Sequence, residues 1–570
     1  MKRPSVFWGV VTLAGALLVD GCRAAPKLPP PGAAGKPAKK SPAKSSAKRA
    51  NGKASPAKLA SAHAHYAAGV VHELNGETDL AMEEFLRAAQ EDPEDETLTL
   101  EISRRMLQAK QPEKALEFLE GVLACGSAGG EVFARLGVVF TMLGRDEEAL
   151  SANRTAIQKS PRALIGYQNL FLGLLQAKQP DAALKLLGDA GRIDSLEVEF
   201  LLGIGDLYQH YLSQFPTQRE AVQGRALDVL VRAEALQPTD PQTRLRLADG
   251  LYMLGDTQRA TQLYLKLLEQ VEDLPMVRDN VRSKLADLYL RGDNREGART
   301  QLEAIVRDDP ANAQAYYFLG SLAYDDKQWK TAVGHFQKAL LFRPNFQRAY
   351  YDLSAAQLAG DDASGALSTL RQAGEKFPPN FLSEYLTALA QQKQKNFDEA
   401  LKHFTAAEVI AKAGEPQRLT AEFYFEVGIA FERKGDRAGG VKYFERALEL
   451  KPEFPEAQNY LGYMWAERGE NLDRARDLIA KALKAEPKSA AYLDSMAWVL
   501  FKLNQPKEAL DYQLQAISLN EGPDATLFDH LGDIYSVLGE TEKAKEAWRK
   551  SLAVEASEVI QQKLNPPKTP

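Results

Sequence analysis

The sequence predicts an all-α solenoid of about fourteen helix hairpins with a closing helix, and three observations predict it. The first is length: 570 residues exceed what one compact core sustains, at roughly 250 to 300 residues, whereas a repeat array grows in length without thickening. The second is a period. Ala81, Ala115, Ala149 and Ala183 stand 34 residues apart, and the register continues through Ala226, Ala260, Ala298, Ala332, Ala366, Ala400, Gly440, Ala475, Ala509 and Ala544. These fourteen anchors number the hairpins 1 to 14 below. The third is what accompanies each anchor. Twelve residues before it stands Gly, Ala or Ser in eleven cases, as at Gly69, Gly320, Gly428 and Gly532, and twelve after it stands Pro in eight, as at Pro93, Pro161, Pro344 and Pro452. Self-similarity at such a period is the mark of stacked two-helix units.

In chain order, Lys2 and Arg3 precede an apolar run from Val6 to Val19, which ends at Asp20-Gly21-Cys22. The run is about six residues too short to span a bilayer and reads as the apolar region of a secretory leader over 1–22. Its end resembles the bacterial lipobox, with Asp20 a departure from the small uncharged residue usual there, and the resemblance implies that Cys22 is acylated. Residues 23–58 hold 10 Lys/Arg and no acid among Pro, Ala and Ser. Little apolar surface is available to bury, so a disordered tether is expected. The repeats follow, in an N-terminal group over 59–240 and a C-terminal group over 241–565.

Within each hairpin the small residue at the first helix's midpoint and the anchor in the second let the two axes approach. Four residues after the anchor, Phe85, Tyr264, Phe336, Phe404, Phe444 or Trp548 fills the remaining gap. Seven after it the side chain is modest again, as at Ala88, Ala156, Ala339 and Ala447. Proline then stops the second helix. Tyr211 to Gly224 is surplus to the period and predicts a longer hairpin turn around Pro216; Asp273-Leu274-Pro275 and Ala411 to Pro416 predict insertions at joints, which loop entropy tolerates. Glu555 to Leu564 predicts a helix that covers the exposed end.

This pattern resembles the tetratricopeptide repeat, whose full signature is legible in Tyr316 to Pro344. The resemblance implies a right-handed superhelix with a concave groove lined by first helices. Tyr460 to Gly469 and Ala491 to Val499 are similar to the C-terminal repeats of large bacterial tetratricopeptide lipoproteins, among them an outer-membrane adaptor of a periplasmic carboxyl-terminal processing protease. Related lipoproteins serve polysaccharide export or pilus assembly. The resemblance implies a lipid-anchored envelope protein, and Arg23 after the cysteine favours the outer membrane, facing the periplasm.

Chemistry of other kinds finds little support in the residues. The net charge is −6, but 59–570 carries 59 Lys/Arg against 76 Asp/Glu, an acidic body that does not suit nucleic acid. Seven scattered His and two Cys, Cys22 and Cys125, give no metal-ligand spacing. The Gly-rich stretch Cys125 to Gly130 lacks a following Lys-Ser/Thr and reads as a joint. No catalytic residues, cofactor or metal are therefore expected. The expected site is a partner-binding stripe on the first helices of hairpins 8 to 13: Tyr317, Tyr324, Tyr351, Tyr385, Phe425, Tyr463, Asp494, Trp498 and Phe501, with Tyr66 and Tyr252 earlier. Exposed aromatics of this kind make binding anchors. Glu422, Asp529 and Asp533 on the same stripe point to a basic or neutral segment of an envelope protein. On this reading Trp498→Ala weakens binding and leaves the fold intact.

Overall fold

The computed structural model describes residues 55–126, 128–194 and 197–564. Residues 1–54, which contain the leader, Cys22 and most of the tether, lie outside the described residues. The described chain is all-α, with twenty-nine α-helices and two short 3-10 turns. Twenty-eight of the α-helices pair into fourteen hairpins, and each anchor lies buried in a second helix. None of the described helices is long and apolar enough to cross a membrane.

The packing inside a hairpin follows from the spacing. A Cβ built on Gly69 would lie 2.6 Å from the Phe85 ring, one on Gly320 2.7 Å from Phe336, and one on Gly428 2.6 Å from Phe444. The aromatic four places after the anchor therefore occupies the volume that glycine vacates on the facing helix. Each of these rings is buried, which stabilises the hairpin by about 1.5 to 3 kcal/mol per ring. Every second helix followed by one of the predicted prolines ends before it, as Thr78–Glu91 does before Pro93 and Trp329–Phe342 before Pro344. First helices begin on side-chain caps such as Asp95, Asp240, Asn312 and Thr420, each satisfying an otherwise orphaned backbone N–H. Asn380 goes further: it caps Ser383 N–H while the Ser383 hydroxyl accepts from its own N–H, closing a capping box.

Three expectations are corrected. The first helix begins at Pro56, capped by Ser55, so the last residues of the expected tether belong to the solenoid. The surplus in hairpin 5 is not a long turn: Val198–Gln214 and Arg219–Ala235 are each 17 residues, joined through a 3-10 turn at Pro216–Gln218. Tyr211 continues the apolar periodicity of its helix and is fully buried, so extending the helix gains more than looping out. Likewise Ala411 lies buried inside the 18-residue helix Phe397–Gly414 rather than at a joint. The closing helix forms at Glu558–Leu564, with Ile560 against Ala544 and Trp548.

The chain divides into two compact units between Asp308 and Asp309. This is not the expected division at 240/241, where Leu230 and Ala233 share one core cluster with Leu247 and Ala248. The N-terminal unit holds hairpins 1 to 7; its larger core cluster gathers residues between Leu150 and Leu288 and a smaller one gathers Ala81 to Ala152. The C-terminal unit holds hairpins 8 to 14 and the closing helix, and its main cluster runs from Tyr350 to Ile534.

The candidate partner-binding stripe

Successive first helices in each unit are joined by hydrogen bonds that repeat with the period itself. Tyr252 donates its hydroxyl to Asp287, 35 residues on, and Tyr317 to Asp352 Oδ2 at 2.6 Å, again 35 on. Gln392 Nε2 donates to Glu426 Oε2 at 2.8 Å across 34 residues. His530 Nδ1 lies 2.9 Å from Asp494 Oδ1 across 36, and Lys563 Nζ of the closing helix reaches Asp529 and Asp533, at 2.8 Å each. Of these, Tyr252, Tyr317, Asp494, Asp529 and Asp533 sit on the stripe expected to meet a partner. Much of it is spent on joining one hairpin to the next.

Burial follows from that ladder. Tyr317 is 5% exposed, Tyr351 6%, Phe425 7%, Trp498 8% and Asp494 4%, so the expectation that they stand exposed is corrected. The Tyr317 ring packs on Phe336 and Phe346, Phe425 on Phe444, Phe454 and Tyr460. Trp498 is stacked between Phe501 at 5.1 Å and His530 at 4.0 Å. Tyr324, Tyr385, Tyr463 and Phe501 keep part of their surface in solvent, as do Tyr66 and Tyr252. Burial, together with the nearby Glu426 and Glu422, pushes the Tyr385 hydroxyl far above its ordinary value; burial and Glu467 do the same to Tyr463. Both phenols therefore stay neutral.

Sequence reasoning missed the group centred on His530. Asp494 accepts from Gln513 Nε2 at 2.8 Å as well as facing His530, and Gln513 also bonds the Leu527 carbonyl. Burial alone lowers the His530 pKa, but the charge and hydrogen bond of Asp494, with Asp529 and Asp533 nearby, outweigh it and leave the value raised. The sequence signal was the one-period separation of Asp494 from His530. The other stripe carboxylates are also committed: Glu422 to Lys451 at 2.9 Å, Asp529 and Asp533 to Lys563. Their charges are answered inside the chain, so they do not by themselves select a basic partner.

The remaining candidates are dispersed. His65 and His403 each pair with a glutamate across their own hairpin, Glu84 at 2.7 Å and Glu384 at 2.6 Å. Among the described residues no three His, Cys, Asp or Glu side chains converge to hold a metal. Cys125 is exposed at the end of its helix.

Comparison with known proteins agrees with the geometry. Residues 47–96, 283–349 and 425–490 match one tetratricopeptide-repeat family model and residues 489–521 another, so the repeats occur in both units. A TPR repeat-containing protein of Pseudomonas aeruginosa is 35% identical over 102 residues, 18% of this chain and 17% of that protein. The putative cellulose synthase operon protein C of Escherichia coli O157:H7 is 24% identical over 235 residues, 40% of this chain and 20% of that protein. The chain thus spans a fifth or less of the length of these relatives. Among solved structures, the Cut9–Hcn1 hetero-tetramer of the APC/C is similar at 15% identity, covering 85% of this chain and 95% of that one with a TM-score of 0.38.

Proposed function

We infer that this tetratricopeptide-repeat protein is a non-enzymatic scaffold or adaptor that holds a protein partner along its first helices, on the periplasmic face of the cell envelope. The observation that carries the reading is the repeat array itself: its first helices in the C-terminal unit present the partly exposed rings of Tyr324, Tyr385, Tyr463 and Phe501 in succession. Such rings give large contact area at little cost in side-chain entropy. Trp498 stacks on Phe501 from behind, and Tyr317, Tyr351, Phe425 and Asp494 are buried on first helices of the same unit. The resemblance of Val19 to Cys22 to a lipobox supports anchoring by acylated Cys22, in the outer membrane given Arg23. The resemblance of Tyr460 to Val499 to protease-adaptor lipoproteins makes a periplasmic protease the leading partner.

A second reading is favoured by one observation, the similarity of 40% of the chain to the cellulose synthase operon protein: a role in assembling polysaccharide export. Pull-down from solubilised envelope followed by mass spectrometry separates the two. Recovery of a protease supports the adaptor, recovery of export components supports the second reading, and copurified nucleic acid or turnover by the chain alone overturns both. Fatty-acid labelling that persists in Cys22→Ala, or wild-type protein that is exported yet soluble, removes the anchor.

A further inference from the structure

A recess of about 290 Å³ opens in the C-terminal unit between hairpins 9 and 10. It lies between the second helix of hairpin 9, Ala363–Gly374, and both helices of hairpin 10, Phe381–Lys393 and Phe397–Gly414, with Tyr351 contributed by Gln347–Ala359. One wall is apolar, formed by Leu367, Leu370, Phe377 and Pro379.

The polar groups around it are unevenly committed. Its carboxylate, Glu384, is already bonded to His403 Nδ1. Tyr351 accepts two N–H bonds at its hydroxyl, from Asn380 Nδ2 at 2.7 Å and Gln347 Nε2 at 3.1 Å. The orientation of Asn380 is fixed, because its Oδ1 accepts from Ser383 N–H. A phenol oxygen holding two acceptor bonds still has its own proton to give, and no described residue receives it. Arg371, on the rim, has no carboxylate or carbonyl partner for its guanidinium among the described residues. Thr387 spends its hydroxyl proton on the Ser383 carbonyl and keeps lone pairs free. The recess therefore offers an unspent O–H donor, an unpaired cation and an acceptor beside an apolar wall.

We propose that this recess binds a carboxylate attached directly to a short apolar group, with the carboxylate on Arg371 and Tyr351 and the apolar group against Leu370 and Phe377. The volume suits one large side chain and its carboxylate, and little more. Two sources share this chemistry, a free branched-chain acid and the last residue of a peptide; in the second, Thr387 accepts the N–H of that residue. The site lies between hairpins and shares Tyr351 with the first-helix stripe, but its test reads small-molecule binding directly, so it does not rest on the scaffold reading.

Calorimetric titration of the full chain tests it, with 4-methylpentanoate, acetyl-glycyl-leucine and acetyl-glycyl-leucine amide as probes. One or both free carboxylates bind at about millimolar strength, a value typical of so small a contact, and the amide does not. Binding of one probe alone identifies the source, and binding of both shows that the carboxylate and its apolar group suffice. Arg371→Gln weakens binding by roughly tenfold through loss of a charge-assisted bond. Gly374→Leu abolishes it by filling the recess; a Cβ there meets nothing within 4 Å, so this variant keeps its melting temperature. Equal binding of acid and amide, wild-type affinity in both variants, or no heat with any probe up to about 10 mM overturns the proposal. Partner capture is scored separately and is unaffected by these outcomes.

Discussion

The two units share one period and join their hairpins by different chemistry. In the N-terminal unit the links between first helices are largely ion pairs at the surface: Arg105 with Glu73 at 3.1 Å, and Arg246 with Glu199 at 2.8 Å and with Asp206. The Arg246 group is more than a third exposed on both sides of each pair, where water and salt screen it. In the C-terminal unit the corresponding links each have at least one buried partner: Tyr317 with Asp352, Glu426 with Gln392, and Asp494 with His530, where both are buried. An exposed pair can be lost to water at little cost, whereas half of a buried pair leaves its partner stranded. One backbone plan thus supports a forgiving array and an exacting one.

The largest test of that contrast is Trp498→Ala. With the indole stacked on His530 and Phe501, truncation should destabilise hairpins 12 to 14 by about 3 to 5 kcal/mol, read as faster amide exchange confined to those hairpins. This replaces the sequence-based expectation that the fold would be indifferent, and unchanged exchange would return Trp498 to the exposed surface. Next comes Gly462→Leu. Its Cβ would lie 2.7 Å from Ile479 Cγ1 and 2.9 Å from the Ala475 carbonyl oxygen, and backbone cannot yield as a side chain can. The expected cost is about 3 kcal/mol, seen as a lowered first melting transition.

A third test uses the buried pair. The folded pKa of His530 is raised above the ordinary 6.5, so the folded chain holds the proton more tightly than the unfolded one. The resulting stability is complete below about 6.5 and fades as pH rises through the higher folded value. Exchange protection around Asp494 and His530 should therefore fall as pH is raised above about 6.5, after correction for intrinsic exchange. Asp494→Asn should flatten that dependence and cost about 2 kcal/mol, since it removes the charge facing a buried imidazole. A pH profile identical in wild type and variant would mean that the pair does not couple to folding.

The anchors, the small residues facing them and the prolines made fourteen hairpins readable from residue order alone, because each answers a steric demand within one hairpin. What lay between hairpins was harder to read. That Tyr317 or Trp498 occupies the stripe follows from helical spacing; that the next first helix covers it depends on how closely hairpins stack, which no single repeat encodes. The ladder was written as residue pairs about one period apart, Tyr252 with Asp287 and Tyr317 with Asp352, a signal visible only once the stacking is supposed. Tyr211 and Ala411 misled for a related reason: extra residues break the period, yet their apolar phase continues the helix.

Smaller effects separate the units by salt. Arg246→Ala should cost the N-terminal unit about 0.5 to 1 kcal/mol at low ionic strength and almost nothing near 1 M salt, as the Debye length shrinks to about 3 Å. Tyr317→Phe in the C-terminal unit removes one hydrogen bond from Asp352, whose carboxyl pKa burial already raises, and leaves that carboxylate facing Arg348 at 3.6 Å. Its cost, about 1 to 2 kcal/mol, should persist in salt. If both variants respond alike to salt, the two joining chemistries are one.

The smallest prediction supplies an internal standard, since it concerns a feature that the units hold in common. Most hairpin turns place one residue in the left-handed region, and this is often not glycine: Lys110 has φ 57° in the N-terminal unit and Lys327 has φ 59° in the C-terminal one. A side chain there costs about 1 to 2 kcal/mol against the right-handed form. Replacing it with glycine recovers that strain but adds unfolded-state freedom worth about 0.5 to 1 kcal/mol. Lys110→Gly and Lys327→Gly should each therefore stabilise their own hairpin by about 0.5 kcal/mol, measured by hydrogen exchange near the turn. Because neither lysine belongs to the first-helix ladder, the two gains should be similar. A gain in one unit only would show that turn geometry, and not the joining chemistry alone, distinguishes the exacting array from the forgiving one.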